Sequence, residues 1–297
     1  VHGVVFDSPF FHVDAARAAS RRLDVPLHVL TFTPDILSLL DAPPHGFGAH
    51  MNPCIDCHAL MLRRAGEFMS SVGAVFLATG EVLDERPKSQ NRRALDIVAD
   101  ASGFGELVLR PLSARLLPPT RPEREGWVDR ERLLDLQGRT RRRQFDLALR
   151  YELKEYPTPA GGCRLTEPNF CNRLRDLKEH EGLDGEHSLM LLRYGRHFRL
   201  DDTLKLIVGR NEHDNAVLEG NAELYDIILK SAEVPGPTAI LPFTAREEQV
   251  LLGARICARY SDCEPGRPVV VKVRSARGTR RVSVEAAPHE EVERLRI

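Results

Sequence analysis

Three cysteines are the side chains of this sequence best suited to chemistry. Cys54 and Cys57 are separated by two residues on a turn that Pro53 begins, and Cys163 follows a pair of glycines far along the chain. Two thiols at this spacing serve zinc, iron–sulfur and redox sites alike, so the spacing does not choose between them. Three thiolates suit an iron–sulfur cluster with one open iron, or a reactive thiol of low pKa. A fourth thiolate, from Cys171, would suit a closed zinc site.

Two alternatives to a shared thiol site stay open. The cysteines can be unrelated buried side chains, and His58, beside the close pair, can be a surface residue rather than a metal ligand. We expect Cys257 to be a core residue and Cys263 to be a loop thiol. Six cysteines in 297 residues are too few for a disulfide scaffold. Without a secretion signal we expect reduced thiols and a cytoplasmic protein.

The elements predicted around the close cysteine pair are those of a parallel sheet. An amphipathic helix follows Cys57, and the continuously apolar segment 74–78 predicts a strand that is buried on both faces. Strand, helix and strand are predicted between residues 4 and 32, which implies a right-handed parallel crossover. The loop 41–52 then lies at the sheet edge where ligands bind in open α/β folds. We therefore expect an α/β domain with the thiols on its ligand-binding side.

Composition and charge set the broad class. A hydrophobic fraction of 42% and a charged fraction of 29% are typical of a globular protein, and the length suits two domains. No apolar run reaches the roughly 18 residues of a membrane span, so we expect none. The net charge of -1 conceals a basic block at Arg139, Arg141, Arg142 and Arg143. This block is either a solvated helix face or a contact for the phosphates of a polyanion.

Four short motifs within residues 1–180 resemble the PP-loop ATP pyrophosphatase superfamily, in particular its tRNA-thiolating branch of 4-thiouridine synthases and 2-thiouridylases. The motifs are Val-Phe-Asp-Ser-Pro at 5–9, Ala-Thr-Gly-Glu at 78–81 with Ser-Gln at 89–90, Asn-Pro-Cys at 52–54 with Cys57, and Arg-Pro-Leu at 110–112. The resemblance implies a parallel-sheet, adenine nucleotide α-hydrolase-like fold for residues 1–185. It also implies ATP with Mg²⁺, bound through Ser8, Thr79, Gly80, Glu81, Ser89 and Gln90.

The resemblance further implies a reaction. In this superfamily branch ATP adenylates the carbonyl oxygen of a tRNA uridine, and sulfur then displaces AMP. Some members carry the sulfur as a persulfide, which would make Cys57 or Cys163 the catalytic thiol. Others hold a [4Fe-4S] cluster on three cysteines, and Cys54, Cys57 and Cys163 fit that scheme better. The implied partners are tRNA and a sulfur donor, with a homodimer left open. The non-enzymatic alternative is an RNA-binding protein with structural zinc.

One departure from the superfamily bears on activity. The Ser-Gly-Gly-x-Asp-Ser loop that holds the ATP pyrophosphate at a helix N-terminus does not occur in the sequence. About one strand–loop–helix unit, roughly 30 residues, is therefore missing relative to the superfamily. We interpret the chain as a truncated member, the alternative being a natural variant that has lost adenylation. We expect this chain alone to be catalytically poor.

The pattern changes near residue 186. Short strands, a helix and a closing hairpin around Gly278 predict a smaller α+β domain over residues 186–297. Val-Gly-Arg-Asn at 208–211, Val-Pro-Gly-Pro at 234–237 and Ala-Arg-Tyr-Ser at 258–261 are similar to the RNA-binding domain of NFACT proteins of ribosome-associated quality control. The family's histidine-containing strand is replaced by residues 227–233. RNA contacts are expected at Arg196 and Arg210.

Overall fold

The computed structural model describes residues 1–156, 162–223, 226–264 and 266–297. Contacts divide the chain into two units, residues 1–167 and 168–297. The boundary predicted from the sequence is 185/186, and the difference is the helix Pro168–His180, which belongs with the second unit. No helix in the described ranges is both long enough and apolar enough to cross a membrane.

Short strands and helices alternate along the first unit. They are β1 (Gly3–Asp7), α1 (Asp14–Leu23), β2 (Leu27–Thr31), α2 (Thr33–Leu39), α3 (Cys54–Met69), β3 (Leu77–Ala78), α4 (Arg92–Ser102), β4 (Val108–Leu109), α5 (Arg121–Arg124) and α6 (Arg142–Arg150). β1 and β2 pair in parallel, from Gly3 opposite Leu27 to Asp7 opposite Thr31. The strand, helix and strand predicted between residues 4 and 32 are therefore present.

The other strands of the first unit are shorter than the sequence predicts. β3 and β4 pair in parallel through Leu77 with Val108 and Ala78 with Leu109, whereas the predicted strand covers 74–78. Pro111 cannot donate a ladder hydrogen bond, and it lies two residues beyond the end of β4. The predicted burial of segment 74–78 on both faces is wrong, because β3 is short and pairs with β4 alone among the described residues. Val75 is 56% exposed, and Leu77 packs only partly against the cluster of Leu62, Val98 and Val108.

An apolar groove lies between the two strand pairs. Its volume is about 690 Å³, and its walls include Val4 and Phe6 of β1 and Leu77 and Ala78 of β3. In the described part of the first unit, β1 pairs only with β2 and β3 only with β4. Each pair therefore has a free strand edge, and free edges with apolar surroundings favour the addition of a further strand.

The second unit contains the elements that follow residue 167. They are α7 (Pro168–His180), α8 (Glu186–Leu191), β5 (Arg196–Asp201), β6 (Leu204–Val208), α9 (Glu212–Gly220), β7 (Ile227–Ser231), β8 (Thr238–Leu241), α10 (Glu247–Arg259), β9 (Val269–Ser275), β10 (Gly278–Val284) and α11 (His289–Leu295). Among the described residues, six strands form one sheet in the order β10-β9-β7-β8-β6-β5. Each neighbouring pair is antiparallel.

Both faces of this sheet are buried. Val250, Ala254 and Cys257 of α10 belong to one core cluster with Leu206 and Leu229 of the sheet. On the other face a smaller cluster joins side chains of α8 and α9 to alternate strand residues, namely Leu191, Leu218, Ile207, Ile228 and Ile240. Successive side chains of β6 and of β7 therefore point to opposite faces of the sheet, as the two-residue period of a β-strand requires. The predicted hairpin is formed by β9 and β10, with Gly278 opposite Ser275.

Candidate functional site

The close cysteine pair lies in the first turn of α3. The chain enters through Pro53, whose carbonyl oxygen accepts the Cys57 amide at 2.8 Å. The Asn52 side-chain nitrogen donates to the Cys54 sulfur at 3.2 Å. Cys57 is buried and Cys54 is half-buried. The Asn-Pro-Cys sequence thus orients the first thiol by a side-chain hydrogen bond and turns the second one inward.

Cys163 reaches the first unit through backbone contacts. The amide of Arg164 donates to the carbonyl oxygen of Phe10 at 3.1 Å, just beyond the end of β1. The Thr166 hydroxyl donates to the Cys163 carbonyl oxygen at 2.7 Å. Gly161, part of the Pro- and Gly-rich stretch expected to position this thiol, lies outside the described residues. Cys163 itself is half-buried.

The three predicted thiols influence one another. Burial raises the pKa of Cys57 well above its ordinary value, and negative charge on Cys163, Cys54 and Asp56 raises the pKa further. The charge of Cys163 therefore acts on Cys57 although the two residues are far apart in sequence. A buried thiol with a raised pKa is a poor nucleophile, which disfavours Cys57 as a persulfide carrier in this state. Cys171 is buried in α7 of the other unit.

A carboxylate between the two thiols fixes the preceding loop. Asp56 is buried, its Oδ1 lies 2.6 Å from His45 Nδ1, and its Oδ2 accepts the His45 amide at 3.0 Å. Both carboxylate oxygens are therefore committed to the loop 41–52. The pair of Asp56 and His45 was not predicted from the sequence. The only sequence feature that points to it is an acidic residue in the first turn of an amphipathic helix, where negative charge is favoured but seldom buried.

Glu81, for which nucleotide binding stays a prediction, is the centre of a buried hydrogen-bond network. Oε1 lies 2.9 Å from His58 Nδ1, Oε2 accepts Arg110 Nε at 2.9 Å, and the Thr79 hydroxyl donates to Oε2 at 3.1 Å. Burial alone would raise the pKa of Glu81. The His58 hydrogen bond and the Arg110 charge overcome it and lower the pKa to about 2. The network joins the strand end after β3 to the helix that carries Cys57.

The lowered pKa of Glu81 predicts acid sensitivity of the first unit. The folded-state pKa is about 2 against an ordinary value of 4.5, so the stabilisation is complete above about pH 4.5. It is lost as the pH falls from 4.5 towards 2, and it amounts to about 3 kcal/mol. Urea unfolding of the chain and of Glu81→Gln across this range measures the difference between them. A difference that does not shrink with falling pH would contradict the assignment.

The other residues predicted to bind ATP include both buried and exposed positions. Ser8 is buried and its hydroxyl accepts the Phe10 amide at 3.2 Å, which forms the Ser-Pro turn after β1. Ser89 and Gln90 are buried, and Gln90 Oε1 has no hydrogen-bond partner among the described residues. Gly80 is exposed, with open space where a side chain would project. ATP and Mg²⁺ binding stays a prediction at these positions.

The basic block is partly neutralised. Arg141 Nε lies 2.7 Å from Glu85, and Arg143 Nη2 lies 2.6 Å from Asp135. Arg139 and Arg142 are exposed, and neither forms an ion pair within the described ranges. Two of the four predicted contacts are therefore available for an anion without breaking an ion pair.

The two arginines predicted in the second unit also differ. Arg196 stacks over the Tyr260 ring, 4.5 Å from its centroid, and donates to the Gly209 carbonyl oxygen at 3.0 Å. Arg210 is paired with the buried carboxylate of Asp214 at 2.6 Å. Burial alone would raise the pKa of Asp214, but the Arg210 hydrogen bond lowers it. Arg210 is therefore held by the fold, whereas Arg196 has no carboxylate partner among the described residues.

The described residues contain no group of three or more His, Cys, Asp or Glu side chains close enough to hold a metal ion. The thiol region nevertheless has a suitable donor chemistry, since its three sulfurs come from one buried and two half-buried residues. Thiolates are the ligands of iron–sulfur clusters and of structural zinc. The choice between these groups, and the cluster itself, stays a prediction.

Comparison with known proteins bears on the second unit. Residues 195–296 match the family described as the NFACT protein RNA binding domain. No curated protein matches the chain. A solved structure, the C-terminal part of the fibronectin/fibrinogen-binding protein from Streptococcus suis, is 16% identical, with a TM-score of 0.33. The alignment covers 43% of this chain and 61% of that one. The family match does not reach the first unit, where the PP-loop resemblance stays a prediction. The predicted C-terminal resemblance is confirmed: residues 195–296 are similar to the RNA-binding domain of NFACT proteins.

Proposed function

We propose that this chain binds tRNA through its second unit and serves uridine thiolation through a thiol site in its first unit. The thiolation part is supported by two observations: the charge of Cys163, distant in sequence, acts on Cys57 of the close pair, and the amide next to Cys163 donates to Phe10 after β1. The RNA part is supported by the NFACT-type match. A thiolation enzyme needs both a sulfur-handling site and a means of holding RNA, so the two units complement each other.

Cys54, Cys57 and Cys163 would hold a [4Fe-4S] cluster. Such a group, when bound by three thiolates, supplies an open iron that retains the sulfide to be inserted. The chain's own residues prepare the site. Asp56 and His45 fix the loop before α3, and Asn52 orients the Cys54 sulfur. The burial of Cys57 excludes water from one side of the thiols.

The proposed first-unit fold is a PP-loop type α/β sheet. Both strand pairs are parallel, and the apolar groove between them offers a place for one further strand. The resemblance calls for one strand–loop–helix unit more than the chain contains. A strand in the groove would place the loop that follows it at a strand end, where ligands bind in such sheets.

The decisive experiment measures iron, sulfide and zinc in anaerobically purified chain. About four irons and four sulfides per chain are expected, because three cysteines with one open iron suit this cluster type. Alanine at Cys54, Cys57 or Cys163 should each abolish most of the iron and sulfide. Cys263→Ala is the control, since that half-buried thiol lies in the other unit and should leave the metal content unchanged.

The outcomes separate the thiolation schemes. Iron and sulfide that persist in all three variants would rule out this ligand set. No metal, together with a single thiol that accepts sulfur from a persulfide donor and loses it to a reductant, would favour the persulfide scheme. Cys163 would then be the expected carrier, because it is half-buried whereas Cys57 is buried.

A second candidate is an RNA-binding protein with structural zinc, and His58 favours it. The His58 ring uses Nδ1 for Glu81 at 2.9 Å, which leaves Nε2 for another partner. Histidines that bind zinc commonly hold a carboxylate in this way. Three cysteines and His58 would complete a tetrahedral site. One zinc per chain without sulfide, lost in His58→Ala, would identify this candidate.

A further inference from the structure

A cleft with three arginines opens beside the edge strand of the six-stranded sheet. Its volume is about 260 Å³. Asn169 and Arg173 of α7, Arg196 and His197 of β5, and Glu293 and Arg296 near the end of α11 line it. These elements come from the beginning, middle and end of the second unit. The lining therefore brings together cations that are far apart in sequence.

Arg196 is held in place by contacts other than an ion pair in the part of the chain that the structure describes. Its guanidinium stacks on Tyr260 and donates to the Gly209 carbonyl oxygen, which fixes its plane. Burial lowers its pKa, and the positive charges of Arg296 and Arg210 lower it further, while Asp214 opposes them. A cation in such surroundings gains more from an incoming anion than a solvated arginine does.

Two further arginines and one carboxylate line the cleft. Arg296 pairs with Glu293 at 3.1 Å, and both side chains are more than one-third exposed. Arg173 donates to the Leu192 carbonyl oxygen at 2.9 Å, which anchors its side chain. The lining side chains thus comprise three guanidinium groups and one carboxylate. Asn169, in the first turn of α7, adds a polar side chain where a helix favours anions.

His197 lines the cleft as an uncharged side chain. It is almost completely buried, and burial, followed by the charges of Arg173 and Lys205, lowers its pKa well below the ordinary value. Its Nε2 lies 2.9 Å from the Tyr194 carbonyl oxygen and so carries the ring proton. Nδ1 has no hydrogen-bond partner among the described residues. The positive charge of the cleft therefore comes from the arginines and does not change near neutral pH.

We infer that this cleft binds a phosphate group of the RNA, with Arg173, Arg196 and Arg296 as its ligands. Planar guanidinium groups recognise phosphate oxygens through paired hydrogen bonds, and three of them around one small cleft suit a single phosphate. The inference rests on the RNA-binding part of the proposed function and is independent of the thiol site. The phosphate can be the 5′ end of the RNA or an internal one.

The test measures binding of a tRNA transcript as a function of KCl concentration. Arg196→Gln and Arg296→Gln should each weaken binding roughly five- to tenfold at low salt and reduce the salt slope by about 1. Glu293→Gln should strengthen binding roughly threefold by removing a repulsive charge, an effect that misfolding cannot imitate.

Arg255→Gln and Glu291→Gln are matched controls, because this ion pair involves the same helix α11 outside the cleft. Transcripts with 5′-phosphate and 5′-hydroxyl ends distinguish a terminal from an internal phosphate.

The possible results test the phosphate-binding cleft and the RNA-binding function separately. Binding by the unaltered chain with unchanged affinity and salt slope in all the cleft variants would overturn the cleft and leave RNA binding intact. No binding by the unaltered chain would overturn both the cleft and the RNA-binding part of the proposed function. A loss in the arginine variants together with a gain in Glu293→Gln supports the cleft, whatever the metal content of the first unit.

Discussion

Replacing Glu81 by glutamine is expected to lower the free energy of unfolding of the first unit by about 3–5 kcal/mol, since it leaves a buried cation without its counter-charge. The Arg110 side chain is only 8% exposed, and its Nε is bonded to the Glu81 carboxylate at 2.9 Å. Glutamine keeps the shape of the side chain but removes the negative charge. The same change removes the charged partner of His58. Urea unfolding at neutral pH, followed by circular dichroism, measures the loss.

A matched variant isolates the effect of burial. Asp135→Asn also removes the carboxylate partner of an arginine, Arg143, but this pair lies at the surface. Exposed ion pairs contribute little because water screens them and two long side chains must be ordered. We expect no measurable change in unfolding for Asp135→Asn. Equal effects of the two substitutions would contradict a buried network around Glu81.

Glu81 also shows which features of the site could be predicted from the sequence. Its position after an apolar segment, in Ala-Thr-Gly-Glu, correctly predicted a strand end at the site. Its partners could not be predicted, because His58 lies on α3 and Arg110 follows β4. Which of many cations reaches a given carboxylate depends on how the helix and the second strand pack. Periodicity predicts that an element exists and says little about its neighbours.

The thiols show the same limit. The close pair was evident from spacing, since a helix keeps residues 54 and 57 on neighbouring positions. Nothing in the residues between 57 and 163 determines whether Cys163 lies near them. The three thiols were grouped by residue type alone, and the superfamily resemblance supplied the cluster and persulfide schemes. In the second unit, local patterns were more informative. Short strands and turn motifs predicted an α+β domain with a closing hairpin, because a hairpin joins neighbours in sequence into neighbours in space.

The basic residues were the least predictable feature. Arg141, Arg143 and Arg210 are bound to carboxylates within their own unit, although composition marked them as RNA contacts. Arg173 and Arg296 were not singled out, yet both line the cleft beside Arg196. The density of basic residues along a sequence shows how many cationic side chains are present, but not whether they are free to bind RNA. Their availability depends on which carboxylates the fold places opposite them.

Replacing Gly195 by alanine is expected to destabilise the second unit by about 3 kcal/mol or more, through backbone strain and overlap together. Gly195 has φ of 73°, a left-handed conformation that L-residues avoid. A Cβ there would lie 2.8 Å from the Val208 carbonyl oxygen and 2.8 Å from Ile207 Cγ2. Neither atom can retreat easily, because both belong to β6, which is paired on both sides, with β5 and with β8.

Gly182→Ala is the control that separates strain from overlap. Gly182 is also left-handed, with φ of 80°, but nothing lies within 4 Å of the position that an alanine Cβ would take. Its replacement should cost about 1–2 kcal/mol, the strain alone. The Gly195 amide donates to Asp214 at 3.0 Å, and the next residue is Arg196 of the cleft. Gly195→Ala should therefore weaken tRNA binding as well, whereas Gly182→Ala should not. Equal unfolding free energies for the two variants would show that the close approach to β6 contributes nothing.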